Sequence, residues 1–386
     1  MATTRKASRY LVPVAVAGVA AATIGLVPAL AASGDPELPE ITAQQLIEKI
    51  AASETQTLSG TVKVETDLGL PSFAGLAGLA GSDSGKSPAP STDPTEKLTE
   101  LASGSHTLKV AADGPDKQRL TVLDGKDEYS LIHNGADVWA YDSRSGEAVH
   151  EKDADAGRKD APREKELPGT PKELADEVLK AAGESTSITV DGTARVAGRD
   201  AYQLVIKPKQ SGSTVESVKI AVDAQNGVPL KFTLASTSGG KAVVDAGFTK
   251  VDFGTPAAST FQAPKGAKVT EGAADEAEHE ARGKAPKGLE GLVGAKGEGG
   301  KEPVVIGEGW TTIAKLDSGA PAPKTEDAPK EMQGFLDSLG DKVSGKFGSG
   351  TVFKTKLVNA LMTDDGRVYV GVVTPDALVK AANADK

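Results

Sequence analysis

Asn134-Gly135-Ala136-Asp137-Val138-Trp139-Ala140-Tyr141-Asp142 reads as a tight turn followed by an alternating strand. Asn-Gly supplies the positive φ that a short hairpin turn requires. Val138 and Ala140 then point to the face opposite Trp139 and Tyr141. The same grammar extends outward on both sides. Leu108 with Val110, Leu120 with Val122, Tyr129-Ser130-Leu131 and Ala148-Val149 form neighbouring strand candidates, and Asp124-Gly125 marks a further turn. Upstream, Leu58, Val62, Val64 and Leu68 sit on even positions with Lys63, Glu65 and Asp67 between them, which predicts a strand with one buried face. Downstream, strands are expected over 187–196, 201–206, 215–222, 230–234 and 243–253, with Asn226-Gly227 as the turn before Leu230.

Two helices accompany this meander. Thr42-Ala43-Gln44-Gln45 is a capping box followed by Leu46, Ile47 and Ile50 at helical spacing, so a helix is expected over 42–53. Thr170-Pro171-Lys172-Glu173 opens a second, striped by Leu174, Val178 and Leu179. About ten antiparallel strands and two helices over 38–269 predict an α+β domain, a large curved sheet with helices against one face. Residues 270–302 are rich in Gly, Glu, Lys and Ala and read as a flexible linker. A smaller α+β unit is expected over 303–386. Its strand candidates are 304–306, 312–316, 351–362 and 367–373. A helix striped by Met332, Phe335, Leu336 and Leu339 and a terminal helix capped by Thr374-Pro375-Asp376 complete it.

Composition narrows the function classes. Arg5, Lys6 and Arg9 precede an apolar, alanine-rich stretch from Leu11 to Leu30, and Ala29-Leu30-Ala31 carries the small residues that a signal peptidase reads. Residues 1–31 are therefore expected to be a signal peptide cleaved after Ala31, by the general secretory route, leaving a secreted, extracytoplasmic chain without a membrane span. There is no cysteine among the 386 residues, which excludes disulfides, Fe–S clusters, thiol catalysis and a lipobox anchor. The net charge of −10 becomes more negative once that basic segment is removed, which argues against nucleic acid as a partner.

Four segments carry a resemblance. The hairpin Asn134–Asp142, the strand Gly198-Arg199-Asp200-Ala201-Tyr202-Gln203-Leu204, the hairpin Val222-Asp223-Ala224-Gln225-Asn226-Gly227-Val228-Pro229-Leu230 and the closing strand Phe248-Thr249-Lys250-Val251-Asp252-Phe253 resemble, in order, the LolA/LppX/RseB-like superfamily of exported lipid- and lipoprotein-binding proteins. The alanine-rich leader and acidic chain are similar to those of high-GC actinobacteria. The resemblance implies a half-open β-barrel lidded by helices, whose apolar concave face holds acyl chains, and its two-domain plan is similar to RseB-type regulators. The arginine that LolA carriers place near the second strand has no counterpart in His106-Thr107-Leu108-Lys109-Val110, and Arg119 falls on the next segment.

The residues expected to line such a cavity are Val62, Val64, Leu108, Val110, Tyr129, Leu131, Phe232 and Leu234; the same periodicity suits a solid core. Trp139 and Tyr141 fit either a rim at the mouth, where an amphipathic ring suits a lipid head group, or core packing. Leu70, Phe73, Leu76 and Leu79 recur every third residue in an insertion over 69–96, which reads as a flap over the cavity or as a surface loop.

Catalysis finds no constellation. His106, His133, His150 and His279 lack metal-ligand spacing. Gly81-Ser82-Asp83-Ser84-Gly85 is no nucleophile elbow, since its centre is Asp83, and Gly85-Lys86-Ser87 lacks the first glycine of a phosphate loop. Asp153 and Asp155 read as a solvated loop, and Lys207 and Lys209 as a strand end. The expectation is a monomeric, non-enzymatic protein without metal or cofactor that binds a lipid or lipoprotein acyl chain for carriage or sensing. The alternative is a regulator contacting a membrane-bound protein, such as an anti-sigma factor, through 303–386.

Overall fold

The computed structural model describes residues 35–69, 103–152, 179–271 except 181, 303–317 and 340–385. Expectations for the leader, the 70–80 flap, Gly81–Ser87, Asp153 and Asp155, the start of the helix at Thr170, the linker beyond Glu271 and the helix around Phe335 fall outside these residues.

The first unit is a curved, unclosed sheet of twelve described strands. Its strands are β1 (Thr57–Thr66), β2 (Gly104–Asp113), β3 (Lys117–Asp124), β4 (Asp127–Asn134), β5 (Asp137–Asp142), β6 (Glu147–Lys152), β7 (Thr186–Val196), β8 (Arg199–Pro208), β9 (Val215–Asp223), β10 (Pro229–Ser236), β11 (Val244–Asp252) and β12 (Lys268–Glu271). Their order is β12-β6-β5-β4-β3-β2-β1-β11-β10-β9-β8-β7, so β1 and β11 meet in the middle and join two meanders into one surface. Eleven of these strands pair antiparallel, as the alternating pattern predicts. The exception, β12, was not anticipated. It adds to β6 in parallel at the sheet's edge after the chain has passed through a 3₁₀ turn at Ala258–Phe261. All four of its residues are exposed, so no alternation marks it as a strand.

Helix α1 (Ala43–Ala51) forms where the capping box places it. The Gln45 N–H donates to Thr42 Oγ1 at 3.2 Å and the Thr42 N–H to Gln45 Oε1 at 2.9 Å. Its apolar stripe buries Leu46 and Ile47 against Tyr202, Leu204, Ile206, Val218, Ile220 and Phe232. The helix end is tied to the β9–β10 turn. Gly227 has φ +76°, and a Cβ there would lie 2.3 Å from the Lys49 carbonyl oxygen. Gly227→Ala is therefore expected to cost at least about 2 kcal/mol, since both backbone conformation and space forbid a side chain. Thermal unfolding checks this, and an unchanged midpoint would refute it.

The second unit is a six-stranded sheet of β13 (Val304–Ile306), β14 (Ile313–Asp317), β15 (Gly340–Gly345), β16 (Gly348–Phe353), β17 (Asn359–Thr363) and β18 (Arg367–Gly371), ordered β13-β14-β18-β17-β16-β15. Helix α2 (Pro375–Ala384) packs Leu378 and Ala382 onto it, beside buried Val352, Leu361 and Tyr369. The expected strand 351–362 is in fact two strands, broken at 354–358, where Thr355 Oγ1 accepts from Leu357 N and Val358 N. That broken segment carries Lys356 and Leu357, which face the first unit.

The two units are docked. Ser213 and Val373 form an antiparallel bridge, and the Thr374 N–H donates to the Gly212 carbonyl at 2.8 Å. Trp310 and Leu357 pack against the core under α1, and Trp310 Nε1 donates to Thr186 Oγ1 at 2.8 Å. Lys356 pairs with Asp67 Oδ2 at 2.6 Å, while its backbone N–H donates to the Leu68 carbonyl at 2.8 Å. That hydrogen bond from Lys356 holds the Asp67 carboxyl below its usual range. No helix among the described residues is long and apolar enough to cross a membrane.

Candidate functional site

Cross-strand register decides which apolar residues share a face, because directly paired residues in an antiparallel sheet point the same way. Val62 pairs with Leu108 and Phe248, Leu108 with Val122, and Val122 with Tyr129. Gly60 pairs with Val110, Val110 with Leu120, and Leu120 with Leu131. Val64 pairs with Ala246 and Ala246 with Phe232; Thr66 pairs with Val244 and Val244 with Leu234. Val62, Val64, Leu108, Val110, Tyr129, Leu131, Phe232 and Leu234 thus lie on one continuous surface, the face on which α1 rests.

That surface has two halves. Over β7–β10 it is sealed by α1, with Trp310, Leu357 and Val372 of the second unit against the same core. Over β1–β6, Val62, Leu108 and Tyr129 are at most 5% exposed. The rest of that half, Val110, Leu120, Val122, Leu131, Ala140 and Val149, is half-buried. The apolar cluster under α1 stops at Phe232, Leu234 and Val244, short of these residues. The wall is apolar and wide, as an acyl-binding surface requires.

Trp139 and Tyr141 are on the other face, paired with Ile132 and Ser130. Trp139 stacks on His150, ring centroids 3.9 Å apart and 18° from parallel, and packs beside Ala111, Ile132 and Phe261 beneath the 3₁₀ turn. His150, buried, lies 2.8 Å from Asp137 Oδ1 and 2.9 Å from Glu271 Oε2, and so joins β5, β6 and β12. This cluster was not legible in the chain, since Glu271 is 121 residues from His150.

Arg119 also belongs to the other face, paired with Ala111 and Ile132. Its guanidinium donates to Thr121 Oγ1, Ser130 Oγ and the Thr260 carbonyl, so it pins the 3₁₀ turn rather than any segment on the α1 face. His106, on the α1 face, is hydrogen-bonded to the Ser103 carbonyl oxygen at 2.6 Å. Lys207 and Lys209 flank Pro208, the last residue of β8. Among the described residues, no group of three or more His, Asp or Glu is placed to hold a metal ion.

Three of the four motif segments, all but the hairpin at Asn134–Asp142, converge on the β8–β11 side of the sheet. Arg199 pairs with Asp223, its Nη2 also reaches Gln225 Oε1 at 3.0 Å, and its guanidinium carbon lies 4.8 Å from the Phe253 ring centroid. Asp223 Oδ1 accepts from Gln225 N at 2.8 Å and Asn226 N at 3.0 Å. Burial pushes the Asp223 carboxyl up, but Arg199 and these two N–H groups outweigh it and leave it below its usual value.

Residues 99–267 match the family model described as the MucB/RseB N-terminal domain. Among solved structures, the Pseudomonas aeruginosa MucA/MucB complex is 16% identical, covering 88% of this chain and 96% of that chain with a TM-score of 0.39. A conserved protein from Thermus thermophilus is 12% identical, covering 60% and 99%, with a TM-score of 0.32. A LolA superfamily protein from Nitrosomonas europaea is 12% identical over 58% and 99%, with a TM-score of 0.22. No curated protein matches the chain.

Proposed function

We propose that the protein, whose residues 99–267 match the MucB/RseB N-terminal domain model, is an extracytoplasmic, non-enzymatic binding protein that holds an acyl chain of a lipid or lipoprotein. The observation that carries this reading is the split apolar face, sealed by α1 over β7–β10 and only half-buried at Val110, Leu120, Val122, Leu131, Ala140 and Val149. Burying a hydrocarbon tail there is worth about 0.8 kcal/mol per methylene, so a long chain needs no polar anchor to be retained.

Organic extraction of the purified full chain, followed by mass spectrometry, tests this directly. Acyl species in near-stoichiometric amount are the expected result. Leu131→Asp places a charge in the middle of the wall and is expected to lower their yield at least tenfold with the far-ultraviolet circular dichroism preserved. Protein that carries no acyl species, or a Leu131→Asp variant that retains them in full, refutes the reading.

A regulatory role is the second reading, favoured by the hold of Lys356 on Asp67 and Leu68. The smaller domain grips the chain just where it leaves β1 beside the apolar wall. Occupancy of the wall then biases the position of the smaller domain, and with it contact to a membrane-bound protein. Tail-dependent capture of such a partner by the full chain supports this role; capture that ignores the bound tail counts against it.

A further inference from the structure

We propose that the face of the sheet opposite the apolar wall carries a second binding site, a cleft of about 470 Å³ over β11, β1, β2 and β3 that takes the phosphate ester of a polyol. This site is independent of the acyl-binding reading, because Thr61, Lys109, Arg119, Thr121 and Lys250 lie on the face opposite the wall.

The cleft owes its charge to a register shift. On β11, Phe248 pairs with Val62 on the apolar face, and a bulge between Thr61 and Val62 makes Lys250 the partner of Thr61. A bulge inverts the alternation beyond it, so Lys250 faces the opposite side although it lies two residues from Phe248. Gly60 lets the strands close at this point, since a Cβ there would sit 2.6 Å from the Lys250 carbonyl oxygen.

Thr61 pairs in turn with Lys109 on β2, so two lysines flank one threonine across three adjacent strands. Strand spacing sets their backbones about 10 Å apart, within joint reach of one anion for two long stems. Both are exposed, and neither has an ion-pair partner among the described residues.

Arg119 is the fixed cation. Its Nε donates to Thr121 Oγ1 at 3.1 Å, Nη1 to the Thr260 carbonyl at 3.2 Å and Nη2 to Ser130 Oγ at 3.1 Å, with Glu128 at 3.7 Å. These bonds use three of the guanidinium's five N–H groups and leave it oriented, with donors to spare. The two acids in the lining are already engaged. Glu128 lies beside Arg119, and Asp252 Oδ1 accepts from the Gly254 N–H at 2.6 Å. A local positive surplus therefore stands in a chain of net charge −10.

A single arginine satisfies a carboxylate, whereas a phosphate presents acceptors in several directions and suits donors arriving from three strands. Ser59 and Thr61 match the hydroxyl groups of a polyol. The volume falls within the range of about 300–1,000 Å³ common for small-molecule sites.

Calorimetric titration of the full chain with glycerol 3-phosphate, and sedimentation with phosphatidylglycerol vesicles, separate the two sources of such a group. Saturable binding that weakens at least tenfold in Lys109→Met/Lys250→Met, weakens with added salt, and is unchanged in Lys207→Met on β8 is the expected result. Binding of the free ester assigns a soluble ligand, and binding of vesicles alone assigns a lipid headgroup. Binding to neither probe, or equal binding by the wild type and the double variant, overturns the proposal. Both lysines are solvent-exposed, so the double variant is expected to unfold at the wild-type temperature, which keeps the comparison valid.

Discussion

Arg199→Met is expected to lower the folding free energy by about 3 kcal/mol, the usual cost of leaving one member of a buried ion pair alone. The reason is asymmetry of burial: the Asp223 side chain is 1% exposed and its partner 27% exposed. Removing the cation strands a carboxylate that cannot reach water, and the N–H groups of Gln225 and Asn226 compensate for part of the loss. The variant also forfeits the contact of the guanidinium with the Phe253 ring. A pH series isolates the electrostatic part. In the wild type Asp223 titrates below its ordinary value, so its contribution to stability is present in full above about pH 4 and is lost as pH falls through the folded-state pKa. The gap between wild type and variant should accordingly be constant near neutrality and shrink in acid, where a protonated Asp223 no longer needs a cation. A pH-independent gap would mean that packing, not charge, accounts for the loss.

Trp310→Ala is expected to weaken domain docking by about 2–3 kcal/mol, somewhat less than full removal of a core aromatic because the ring is half-buried. Trp310 is the largest apolar side chain that the smaller domain contributes to the core under α1, and its indole N–H donates to Thr186 Oγ1. Calorimetry of the full chain should change from one coupled transition to two, with Asp67–Lys356 unable to hold the domains together alone, since a half-exposed ion pair contributes little. A single unshifted transition would show that the bridge at Ser213 and Val373 dominates the interface instead.

Trp139 and Arg119 illustrate how far local pattern reaches. The alternation around Trp139 correctly separates it from Val138 and Ala140, but it contains no information on what lies above the ring; His150 and Phe261 arrive through pairing of β6 and the return of the chain after β11. For Arg119, the sequence places it on the segment after the second strand, and that strand has no counterpart of the latch arginine of LolA carriers. Parity on β3 turns Arg119 to the face opposite α1, where it fastens Thr260, a contact that no local pattern shows. The charge of the second cleft was hidden for a related reason. Lys250 appears to share the face of Phe248 in any strict period of two, and only the bulge moves it.

Local chemistry in the chain determined the strands of the two meanders, the capped helix α1, the positive-φ turns and the alternation of apolar and polar residues within each strand. All of these depend on neighbours within a few residues: alternation, capping hydrogen bonds and glycine's freedom at positive φ. Tertiary structure alone decided the parallel edge strand β12, the docking of the second domain, the His150 cluster and the convergence of Lys109, Arg119 and Lys250. Each of these joins groups brought together by register and chain return, with partners 141 residues apart for Arg119 and Thr260 and 289 apart for Asp67 and Lys356, distances over which no local preference acts.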